Sequence, residues 1–118
     1  MKKRTLNQTW VLCLRMWRAA AKELGGKIIN DYDTIDRFKR RWMEENGFGS
    51  EKIKSNCFFC DYVGKDENGD PDCTTCPGAL VDPYFDCCDD EYYFRYYPQK
   101  FYEELLRLNR IRKGKNEN

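Results

Sequence analysis

Apolar side chains recur at Trp10, Leu14, Trp17, Ala21 and Leu24, with Leu6, Cys13 and Ala20 beside that stripe. Steps of three and four residues put these positions on one side of an α-helix. Thr5 or Asn7 can cap its start and Gly25-Gly26 can stop it, so a helix is predicted over 5–25. Arg15, Arg18 and Lys22 form a basic stripe on an adjacent face. A second helix is predicted over 33–47, with Ile35, Phe38 and Trp42 on its buried side. Asp33 suits its N-cap and Asp36 its positive end, while Gly47 suits a left-handed C-cap that lets Phe48 fold back. A third helix is predicted over 98–112, opened by Pro98 and striped by Phe101, Leu105 and Leu108, with Tyr102 and Ile111 nearby. The remaining 113–118 read as a polar tail.

Residues 49–97 show no such period and are punctuated throughout by Gly, Pro, Asp and Asn. A stretch of that length needs something other than regular packing to order it. Its cysteines meet that need. Cys57-Phe58-Phe59-Cys60 is followed, after twelve residues, by Cys73-Thr74-Thr75-Cys76. Two CxxC pairs at such a separation point to zinc, because each tight turn aims two sulfurs at one tetrahedral ion. A shell of Cys57, Cys60, Cys73 and Cys76 leaves no open position, which makes the expected zinc structural and not catalytic. Cys87 and Cys88 are alternates, since either could replace a knuckle cysteine. Cys13, beside an apolar helical stripe, is expected to be a small core residue. Asn68-Gly69 predicts a short β-hairpin between the knuckles. The expected fold is therefore mainly α, about three helices with a small irregular or β-hairpin zinc-knuckle module spanning 55–97, in a single domain over 1–118.

Composition adds constraints. The 118 residues contain seven cysteines and no histidine, which removes any imidazole base, triad or His ligand. With no nucleophile–base pair in view, an enzyme is not expected. The net charge of +1 hides an asymmetry: +6 over 1–30, zero over 31–56, −8 over 57–97 and +3 over 98–118. Such a chain can neutralise itself internally or present an acidic face. Nine of the eighteen aromatics fall in 84–102, interleaved with acids. Most of these rings are expected to dock the cysteine module onto the helices. A subset, Asp86, Asp89, Asp90, Glu91, Tyr92 and Tyr93, is the candidate partner-binding surface. The alternative working surface is basic and suited to nucleic acid: Arg15, Arg18, Lys22, Lys39, Arg40 and Arg41. Behind Met1-Lys2-Lys3-Arg4 the longest apolar run is only Trp10–Leu14, too short for a secretory or membrane-spanning segment. A cytoplasmic protein without a membrane partner is expected, in which cysteines stay reduced and serve metal before disulfides.

The order of Trp42, Cys57, Cys60, Cys73, Cys76-Pro77, Cys87-Cys88 and Tyr96 resembles a loose group of small bacteriophage-encoded CxxC…CxxCP proteins, over roughly residues 38–112. The helix bearing Trp10 and Trp17 lies outside that pattern. The resemblance implies an accessory protein in the cytoplasm of a bacterial host. It would bind, and inhibit or redirect, a host protein such as a component of a defence system. An acidic, aromatic face fits a partner whose own surface is basic, such as a nucleic-acid-binding groove. Nucleic acid itself is the second candidate partner.

Overall fold

A computed structural model describes residues 4–26, 28–31, 33–49, 53, 57–63, 68, 75–87 and 92–116. Five helices run in the order α1 Leu6–Leu24, α2 Thr34–Glu45, α3 Phe58–Tyr62, α4 Pro77–Val81 and α5 Pro98–Asn116. No strand occurs among the described residues. The radius of gyration is 14.0 Å, close to the ~13–14 Å of one packed body of this length.

The start of α1 is a capping box. Thr5 Oγ1 accepts from the Gln8 amide at 3.1 Å, and Gln8 Oε1 accepts from the Thr5 amide at 2.9 Å. Gly25 ends the helix at φ +69°, a region that favours glycine. The predicted stripe is rotated slightly in the fold. Trp10, Cys13, Met16, Trp17 and Ala20 are buried, while Leu14, Ala21 and Leu24 are only half-buried. The reason is that α1 is a central element, with α5, α3 and α2 packed around it.

The entry to α2 differs from expectation. Asp33 stands at the N-cap in αR conformation and its side chain makes no capping bond. Asp31 organises the turn instead, its carboxylate accepting from the Asp33 amide and from Arg37, each at 2.9 Å. The exit is a Schellman motif: the Phe48 amide donates to Met43 O at 2.7 Å and Gly47, at φ +88°, donates to Glu44 O. Phe48 then stacks on Trp42, rings nearly parallel at 6.1 Å.

Two corrections concern the rest of the chain. Helix α5 runs to Asn116, four residues into the expected tail. The stretch 49–97 is not wholly irregular, because each CxxC pair leads into one short helix, α3 or α4. Cys57 caps α3, its Sγ accepting from the Cys60 amide at 3.5 Å, and Pro77 opens α4 at its first turn. The predicted hairpin lies outside the described residues apart from Asn68, which is in a turn.

Aromatic rings join this segment to the long helices. Trp10 meets Phe59 edge-on at 4.9 Å, and Trp17 meets Phe101 at 4.8 Å and Phe94 at 5.9 Å. Phe85 sits so close to α4 that a Cβ on Gly78 would lie 2.5 Å from its ring. Ion pairs reinforce the seam: Arg4 with Asp61 at 3.3 Å and Arg107 with Asp82 at 3.1 Å. Basic ends of the chain thus neutralise part of its acidic middle.

Candidate metal centre

Four cysteines from separate places in the sequence line one cavity of about 420 Å³. Cys57 and Cys60 come from the start of α3, Cys76 from the residue before α4, and Cys87 from the turn that follows Phe85. Cys13 reaches the same cavity from the buried face of α1. No disulfide joins any of the five to another among the described residues. Cys73 and Cys88 lie outside the described residues. Among the described residues, no three Cys, Asp or Glu side chains stand at metal-ligating spacing.

The thiols act on one another. A hydrogen bond from the Cys60 thiol draws Cys57 down to about 6, aided by the Lys39 ammonium and the amides of Cys60 and Phe59 against the cost of burial. Cys60 keeps the shared proton and is pushed up by that bond, by burial, and by Cys57, Cys87 and Cys76. Burial pushes the Cys13 thiol well up, and Cys57 and Cys76 add to it. Cys13 is therefore a packed, protonated thiol at neutral pH, in keeping with a core role.

Lys39 is the residue that sequence reasoning misplaced. Grouped with Arg40 and Arg41 as a basic run, it is instead 5% exposed and lines the cysteine cavity. Its Nζ stands 5.0 Å from the centre of the Phe94 ring. The nearest acid on its own helix, Asp36, is engaged by Arg95 at 2.9 Å. No carboxylate pairs with Lys39 among the described residues. A signal for this was present: Ile35, Lys39 and Trp42 are spaced i, i+4 and i+7, which sets the lysine on the buried side of α2.

The two candidate interaction surfaces also change. Arg41 pairs with Glu23 on α1 and with Glu45 at 3.7 Å. Arg15, Arg18, Lys22 and Arg40 are exposed, so the basic face is made of these four without Lys39. On the acidic side, Asp86 is exposed, and its amide donates to the Tyr92 hydroxyl at 3.3 Å. Tyr92 is half-buried and stacked on Phe85, and Tyr93 packs edge-on against Phe94 and Tyr96. Both tyrosines thus serve internal packing. Asp89, Asp90 and Glu91 lie outside the described residues. Among the described residues the ring most open to solvent is Tyr84, at 90% exposure. It is held by an Asp82-Pro83 turn in which Asp82 Oδ1 accepts from the Tyr84 amide at 3.0 Å.

No family model, curated protein or solved structure matches this chain. No helix among the described residues is long and apolar enough to cross a membrane.

Proposed function

We propose that the chain is a small zinc-stabilised accessory protein of the phage type. It acts by protein–protein contact in the cytoplasm of a bacterial host and is not an enzyme. The observation that carries this reading is the gathering of Cys57, Cys60, Cys76 and Cys87 around one cavity inside a helical framework. Thiolate sulfur and the absence of histidine suit zinc in a closed, structural role. Cys73 remains a candidate ligand through its CxxC spacing. The working surface is the acidic segment around Asp86, Asp89, Asp90 and Glu91, with Tyr84 as its exposed aromatic. Its proposed partner is a host protein with a basic, nucleic-acid-binding surface, which the chain inhibits or redirects.

The test is metal analysis of purified protein together with capture of partners from host lysate. One zinc per chain and recovery of a basic protein are expected. Combined charge reversal at Asp86, Asp89, Asp90 and Glu91 should abolish capture; undiminished capture would show that another face does the binding.

One observation favours nucleic acid as a second reading. Arg15, Arg18, Lys22 and Arg40 are exposed, and no carboxylate pairs with them among the described residues. A band shift of DNA or RNA that weakens steeply with salt, and is reduced by Arg18→Glu with Lys22→Glu, is its signature.

A further inference from the structure

We propose that Cys57 and Cys60 form a reversible dithiol–disulfide site, open to exchange with a small thiol-derived disulfide of the glutathione class. The proposal goes beyond the accessory-protein reading and does not rest on bound zinc.

The first ground is direct contact. Cys57 is the residue before α3 and Cys60 lies in its first turn. Cys57 Sγ accepts from the Cys60 amide at 3.5 Å, and it also accepts a hydrogen bond from the Cys60 thiol. The two sulfurs therefore face each other across one short turn, which sharing a cavity would not by itself require. Neither is engaged in a disulfide among the described residues. Closing the pair shortens that contact to an S–S bond of about 2.05 Å, a change confined to one turn. Cys76 and Cys87, which line the same cavity, and Cys73, by its spacing, are the rival partners.

The second ground is access and lability. Cys57 and Cys60 are half-buried and line the cavity of about 420 Å³, so a small disulfide can reach them, whereas Cys13 is 1% exposed. Only Phe58 and Phe59 separate the pair, so the loop closed is small and the entropic gain from the bond is modest. That suits a switchable site better than a structural staple. The exchange balances without any further reagent. One sulfur of the pair bonds to a sulfur of the incoming disulfide, whose own S–S bond breaks and releases one small thiol. The second sulfur then bonds to the first and releases the other small thiol. Cys57 and Cys60 together lose two electrons and two protons, and the small disulfide takes up both as it becomes two thiols.

The test uses the full chain, stripped of metal, so that its outcome does not depend on whether zinc binds. The chain is equilibrated with glutathione and glutathione disulfide at graded ratios, alkylated, and digested with trypsin for mass analysis. Cleavage at lysine and arginine places Cys57 and Cys60 alone in peptide 55–65, the next four cysteines in 66–95 and Cys13 in 5–15. Peptide 55–65 is expected to pass from doubly alkylated to unalkylated and lighter by two hydrogens. The equilibrium constant for that change should be about tenfold higher in the folded chain than in urea, because the fold holds the sulfurs together. Cys73→Ser should leave both results unchanged. Peptide 55–65 joined to 66–95 would pair Cys57 or Cys60 with another cysteine and overturn the proposal. So would a peptide 55–65 that stays doubly alkylated, that keeps bound glutathione, or that oxidises equally well in folded and unfolded chains.

Discussion

The long helices and the cysteine-bearing segment are ordered by different physics. Helices α1, α2 and α5 bury continuous apolar faces: Trp10, Met16 and Trp17 meet Phe101, Leu105 and Leu108, with Ile35, Phe38 and Trp42 alongside. Each is twelve residues or longer and has its own start or stop signal. Helices α3 and α4 have five residues each, too few to be stable alone. They contribute few buried side chains, chiefly Phe58, Phe59 and Pro77. What they share is a cysteine at the start and a ring from elsewhere pinning them down. The long helices can be ordered by apolar burial alone, whereas the short ones depend on docking against them.

This contrast can be broken from either side, and the largest expected effect is metal removal. On the proposed zinc reading, chelation should cost on the order of 10 kcal/mol of local stability around the short helices, the scale of structural zinc in small modules. Hydrogen exchange should then rise in α3 and α4 while α1 and α5 stay protected. Equal loss of protection everywhere would mean the two regions are one cooperative unit.

A core truncation attacks the other side. Trp17→Ala removes a ring that is 2% exposed and touches Phe94 and Phe101. It should cost about 3–5 kcal/mol in urea unfolding. On the zinc reading, metal affinity should fall less than folding stability, because Trp17 lines the cavity without supplying a sulfur. The smallest effect tests the join. Gly78→Ala forces a methyl into the Phe85 ring and should cost about 1–3 kcal/mol. Its signature on the zinc reading is a larger loss of metal affinity than Trp17→Ala gives, because Phe85 packs beside the cavity that Cys76 and Cys87 line.

The sequence was informative where a repeating local pattern carried the meaning. Three helices, the Gly47–Phe48 reversal and the core role of Cys13 follow from spacing, caps and residue size. The long helix faces were legible because period and apolarity agree over many residues. Lys39 was misassigned because a run of three cations reads as a solvated face, although its spacing from Ile35 and Trp42 pointed inward. The Asp33 cap failed because a nearby carboxylate, Asp31, takes the turn amide and Arg37.

By itself, then, the chain's pattern determined the three long helices and that six of the seven cysteines belong to one segment. Periodicity and capping are local properties, set by neighbours a few residues apart. Only the tertiary structure decided which cysteines line one cavity, Cys87 and Cys13 among them, and that a lysine is buried beside them. Those outcomes depend on how α1, α2 and the Phe85 turn pack against each other. Spacing can mark the inward side of a helix, as at Lys39, but not which residues of other elements meet it there.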